Sequence, residues 1–238
     1  MRIRPWIVDG LLILSLVAVA SGVYRLNLAL ESPRVAVDQP GEVGALPDGR
    51  VLRVMALGFE RLLADLFWIR TVGYVGDGDV AAAGYPSAAA LAELVTDIDP
   101  GFTSVYVIMN TVLESLCGDP DAAIALLDKG LQHTDYWRLH FLQGFNYFFH
   151  KHDYARAAAE MQLAAEAGGP AYLPLLVTRL YTEAGSLDTA IAFVQARLAQ
   201  ASTPEEREML ETRLQLLFQG RESGEVDALR LQLPKESA

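Results

Sequence analysis

Four alanines keep a beat along this chain: Ala88, Ala123, Ala157 and Ala190, at intervals of 35, 34 and 33 residues. A period of that length holds two helices and their turns, and one such unit cannot bury its apolar face alone. Units of this size must stack, each on its neighbours, to build a continuous core. The beat therefore points to an array of helical hairpins in the middle of the chain, with a generic α-helical bundle of accidental spacing as the alternative.

The punctuation between apolar runs agrees with that spacing. A helix over Pro86–Ile98 is stopped by Asp99-Pro100, because proline cannot continue a helix. Thr103–Leu116 and Asp121–Gln132 pair across Gly118-Asp119-Pro120. Tyr136–His150 and Tyr154–Ala167 pair across His152-Asp153, and Ala171–Ala184 and Leu187–Gln200 across Gly185-Ser186. Thr203 caps a last helix, with Pro204 in its first turn and Glu205 and Glu206 facing its positive end. Upstream, Arg50–Val75 reads as one long helix, with Leu52, Met55, Phe59, Leu62, Leu63, Leu66, Ile69 and Val72 at three- and four-residue steps. Gly76–Gly84 reads as a glycine-rich break. No segment shows strand alternation, so the expected class is all-α.

The stretch Gly144-Phe145-Asn146-Tyr147, followed by Asp153-Tyr154-Ala155-Arg156-Ala157-Ala158 and then Ala164, resembles the tetratricopeptide motif. Gly144, Tyr147, Ala157 and Ala164 fill the motif's small, aromatic and alanine positions. Asn110, Leu113, Ala123 and Gly130 fill them less well, as do Thr178, Tyr181, Ala190 and Arg197. Asp99-Pro100 is similar to the motif's closing Asp-Pro. The resemblance covers about Tyr85–Gln200 and implies a short right-handed α-solenoid whose first helices line a concave, protein-binding groove. It places Phe141, Phe145 and Phe148 in that groove, with Tyr172 joining from the next unit. The alternative for these aromatics is packing between repeats.

The amino end carries a different signal. Trp6 to Tyr24 is nearly all apolar, and at about 1.5 Å per residue it matches the hydrocarbon thickness of a bilayer. Trp6 and Tyr24 stand at its ends, where aromatic belts form, and Arg2 and Arg4 precede it. This reads as a single-pass anchor with the helical body on the extracytoplasmic side, periplasmic in a Gram-negative cell. Ala18-Val19-Ala20 also fits a signal-peptide cleavage site, which would leave the same compartment. Asp9 either reaches back to the headgroups or meets a partner helix. The expected organisation is an anchor over 1–25, a Pro/Gly-rich linker over 26–49, a helical domain over 50–232 and a tail over 233–238.

Chemistry-bearing patterns are sparse. The net charge of −11 lacks the basic footprint that nucleic acids require, and it disfavours anionic lipid. Cys117 is the single cysteine, which excludes multi-cysteine metal sites and reads as a small apolar residue. His133, His140, His150 and His152 lack ligand spacing and read as polar residues at helix ends. Glu205, Glu206, Glu208 and Glu211 read as a solvated face. No phosphate loop, nucleophile elbow or paired-histidine motif is present, so no cofactor, metal or catalysis is expected. Two functions remain in view: a membrane-tethered protein-binding scaffold, and an accessory subunit packed into a multi-subunit membrane complex through its anchor and helix 50–75. An enzyme is the weaker third.

Overall fold

The structure, a computed structural model, describes Ser21 and residues 41–223. The expected anchor residues Trp6, Asp9 and Tyr24, most of the linker and the C-terminal tail lie outside the described residues. Among the described residues every regular element is helical and no strand occurs. No described helix is long and apolar enough to cross a membrane.

Eleven helices follow in order among the described residues: α1 (Gly49–Met55), α2 (Glu60–Val75), α3 (Gly78–Ala82), α4 (Ala88–Ile98), α5 (Thr103–Thr111), α6 (Pro120–Leu131), α7 (Trp137–Phe149), α8 (Tyr154–Glu166), α9 (Leu173–Glu183), α10 (Leu187–Gln200) and α11 (Pro204–Ser223). The turns that separate them are built from the expected residues. Asp119, Asp153 and Thr203 each accept a bond from a first-turn backbone N–H, of Ala122 at 2.9 Å, Arg156 at 3.0 Å and Glu206 at 3.1 Å. Each such cap is worth about 1 kcal/mol.

Two expectations are corrected. Residues 50–75 do not form one helix. The chain breaks between α1 and α2, where Leu57 and Gly58 take φ of 49° and 96°. The reason is packing: both α1 and α2 lie on α4, which a straight rod could not do. At Gly49 the approach is so close that an added Cβ would lie 2.7 Å from Asp97 Cβ and 2.8 Å from the Leu94 carbonyl oxygen. The glycine-rich break at 76–84 is also not bare loop. It holds α3, capped by Asp77, which accepts from Asp79 N–H at 2.8 Å.

The end of α5 widens into a π-helical turn over Val112–Leu116, where the Cys117 N–H reaches the Val112 carbonyl. The segment before α1 is docked as well: Val43 N–H donates to Ser87 Oγ at 2.9 Å, and Leu46 packs on the core.

Two apolar cores result. The first gathers Ala64 of α2, the inner faces of α4, α5 and α6, and Leu139 of α7. At its centre Tyr106 is fully buried, and burial pushes its hydroxyl up to about 12. The second core joins α8, α9, α10 and α11 through residues such as Met161, Val177, Val194 and Leu210. The four beat alanines, Ala88, Ala123, Ala157 and Ala190, are all 0% exposed. A larger side chain at any of them would have to displace a neighbouring helix.

Candidate functional site

Helix α7 lies between the two cores, and its two sides differ in chemistry. The side facing α5, α6 and α8 is a seam of polar bonds. His140 Nδ1 lies 2.8 Å from Glu160 Oε2, and its Nε2 lies 3.1 Å from Asp135 Oδ1. Gln143 Nε2 donates to Asp128 Oδ1 at 2.6 Å, and Asn146 Nδ2 donates to Asn110 Oδ1 at 2.8 Å. His150 Nε2 stands 2.6 Å from Glu114 Oε2, which the π-turn presents. His140, Gln143 and Asn146 are buried, so each of these bonds fixes the rotation of α7. His140 is the fourth residue of α7, near its N-terminal end as expected, but it is buried between two carboxylates. His150 sits at the C-terminal cap, and His133 and His152 are exposed.

Along α7, Trp137, Phe141, Phe145 and Phe149 recur every four residues; Trp137 and Phe141 are half-buried, Phe141 against the second core, and Phe145 and Phe149 face outward. Trp137 meets Phe141 edge-on with ring centres 6.2 Å apart, and Phe145 stacks on Phe149 at 5.7 Å and 6°. Phe145 is 36% exposed and Phe149 59%. Of the expected groove residues, Phe145 is exposed and stacks on Phe149, whereas Phe141 packs on the second core. Phe148 packs against Tyr154, with ring centres 5.9 Å apart. Tyr172 is exposed at the N-terminal cap of α9. The i,i+4 relation to Phe145 puts Phe149 beside it, although the resemblance does not place Phe149 in the groove.

A second exposed apolar surface runs over α1 and α2. Val51, Val54, Met55, Leu57, Phe59, Leu62, Leu66, Ile69 and Val72 are each more than half exposed. Part of it forms an apolar cleft of about 250 Å³ lined by Leu52, Met55, Ala56, Phe59, Leu62, Leu63 and Leu66. The opposite face of α2 buries Ala64 and Thr71 and packs Leu63, Phe67 and Trp68 on the first core.

The remaining clefts are more polar. One between α9 and α11 is lined by Leu175, Arg179, Glu205, Glu208, Met209 and Arg213. Burial, then the neighbouring Arg179, lowers the Arg213 guanidinium below its ordinary range. Cys117 is half-buried, and burial followed by the Asp119 charge pushes its thiol up, away from a reactive thiolate. Among the described residues, no three or more His, Cys, Asp or Glu side chains are grouped so as to hold a metal ion. The arrangement offers surfaces for contact: an aromatic ridge held in fixed orientation, and a broad aliphatic face. Comparison with known protein families, curated proteins and solved structures finds no match to this chain.

Proposed function

We propose that this chain is a membrane-tethered, non-catalytic protein-binding scaffold. Its hairpins α5/α6, α7/α8 and α9/α10 would stack in the tetratricopeptide manner, on the extracytoplasmic side, behind an anchor at 6–24. The stacking is supported by the four buried beat alanines and by the close crossing at Gly144. A Cβ there would lie 2.9 Å from Met161 Cγ and 3.1 Å from the Ala157 carbonyl oxygen.

The observation that carries the binding role is the stacked, exposed pair Phe145 and Phe149 on a helix whose rotation is fixed from behind. Exposed aromatics held rigidly are the usual anchors of protein interfaces, because little side-chain entropy is lost on binding. A photo-cross-linking side chain at Phe145 should trap a partner in native membranes. A purified segment of that partner should then bind the chain and lose affinity at least about ten-fold with Phe145→Ala and Phe149→Ala, the range of a two-residue hot spot. Unchanged affinity in the folded double variant removes the ridge from the interface.

A second reading, a structural subunit of a larger membrane assembly, draws on the exposed face of α1 and α2. Native sizing after mild detergent extraction separates the two: comigration with a large assembly favours the subunit, a lone particle the scaffold.

A further inference from the structure

We infer that the exposed face of α1 and α2 rests on the lipid bilayer, as an interfacial surface next to the tether. The inference builds on the membrane reading above and names what covers this face.

The arrangement of residues around α2 carries the argument. Successive residues turn by about 100° on a helix, so nine residues bring two side chains to opposite edges. Arg61 and Arg70 are nine apart, and both are exposed. Between them on the exposed side fall Val72, Ile69, Leu62, Leu66 and Phe59, with Asp65 near the Arg61 edge. An apolar arc bordered on both sides by arginine is the pattern of a helix lying in a membrane interface. There the apolar face enters the acyl boundary and the long basic side chains reach back to phosphate.

Helix α1 extends the same surface. Val51, Val54 and Met55 are exposed beside Arg50 and Arg53, and Leu57, at the tip of the turn, is 86% exposed. Across 49–75 the sequence has four arginines, Arg50, Arg53, Arg61 and Arg70, against two acids, Glu60 and Asp65. The chain as a whole carries −11. Arg50 is also paired with Asp97 of α4 at 3.9 Å and Asp48 caps α1, so the basic excess at this face rests on Arg53, Arg61 and Arg70. That excess, where the exposed aliphatic surface is concentrated, complements an anionic leaflet and orients the acidic remainder away from it. The tether favours this occupant too. Only residues 25–48 separate the apolar stretch ending at Tyr24 from Gly49, so α1 starts within at most about 85 Å of chain from the membrane.

The test uses the full chain, with Cys117→Ser as background, in phosphatidylcholine vesicles containing phosphatidylglycerol. A fluorophore is placed in turn at Leu66→Cys, Leu57→Cys and the exposed Gln195→Cys of α10, and lipids spin-labelled on the acyl chain are added. Quenching is expected at Leu66 and Leu57 and not at Gln195. It should weaken about five-fold for each of Arg53→Gln and Arg70→Gln, the worth of one basic residue at an anionic surface. Leu62→Asp with Ile69→Asp should abolish it while circular dichroism stays unchanged.

If the chain floats with the vesicles but Leu66 is quenched no more than Gln195, the face does not touch lipid and the tether reading survives. Loss of flotation with Leu12→Arg and Leu14→Arg, with Leu66 still quenched in the residual bound fraction, upholds the face independently of the tether. Wild-type chain that fails to float overturns both. A label at Leu66 that is silent in pure lipid yet cross-links to a protein in native membranes assigns the face to a partner and overturns the inference.

Discussion

Helices α2 and α7 both leave a row of apolar side chains in water, and they hold the row in opposite ways. On α2 the exposed residues are mostly aliphatic, and the buried side is mainly apolar contact, Ala64, Leu63, Phe67 and Trp68 on the first core, with one directional bond from Ser87 N–H to the Tyr74 hydroxyl at 2.8 Å. On α7 the exposed residues are aromatic, and the buried side is bonded through His140, Gln143, Asn146 and His150. Apolar contact is non-directional and tolerates small rotations. Hydrogen bonds between buried groups are directional, and breaking one leaves a costly unpaired group. The ridge on α7 is therefore presented at a fixed angle, as recognition of a shaped partner requires. The face on α2 has one directional bond, near its C-terminal end, and is otherwise seated by apolar contact, which suits a fluid surface with no shape of its own.

The sharpest way to break this contrast is to compare one glycine from each helix. Gly144→Val should cost about 3 kcal/mol, because the new side chain enters Met161 and the Ala157 backbone. Gly73→Ala on α2 should instead stabilise by about 0.5–1 kcal/mol, since nothing lies within 4 Å of the added Cβ and glycine is a poor helix former. Urea unfolding of both variants decides it, and equal signs would erase the difference between the helices.

Next in size is the seam itself. Asn110→Leu alone should destabilise by about 2 kcal/mol by stranding the buried Asn146 amide. Adding Asn146→Leu should restore part of that loss, and a double-mutant cycle with no coupling would mean that the seam does not act through this bond.

A smaller effect is expected on the other side of the comparison. Leu62→Asp with Leu66→Asp should change the stability of the free protein by no more than about 0.5 kcal/mol per site, because both side chains are more than half exposed. A large loss would show that this face supports the fold.

The smallest effect asks whether a directional bond elsewhere responds to pH as a bonded seam should. The Glu206 carboxyl is held below its ordinary range, first by the Ser202 backbone N–H and then by Arg197, with partial burial opposing. A depressed carboxyl pKa adds stability above the unfolded value, and that stability is lost as pH falls through the folded value. Glu206→Gln should therefore be less stable than the parent at neutral pH, with the gap closing below about pH 4. A gap that persists in acid would point to lost packing.

The hairpin boundaries were legible because proline, glycine and aspartate mark turns by local chemistry that needs no tertiary context. The break at Leu57-Gly58 was not legible in the sequence. The apolar spacing continues straight through it, and only the shared packing of α1 and α2 on α4 requires the bend. The aromatic ridge was half visible. Four-residue spacing links Phe141 to Phe145 and Phe149, whereas Phe148 was assigned to the groove although its contact with Tyr154 depends on where α8 lies. The polar seam left no local trace, since its partners Asn110, Asp128 and Glu160 come from three other helices. The basic excess over α1 and α2 was present in the sequence but was averaged away in the net charge.

Leu57 has a consequence of its own. It is a branched residue in the left-handed region at the most exposed apolar point of the surface. Glycine or asparagine would relieve a backbone strain of about 1 kcal/mol there. A library of variants sorted only for thermal resistance should thus drift toward those residues at position 57. The same library sorted for residence on membranes should keep leucine. Position 57 would record which of the two demands had shaped a given sequence.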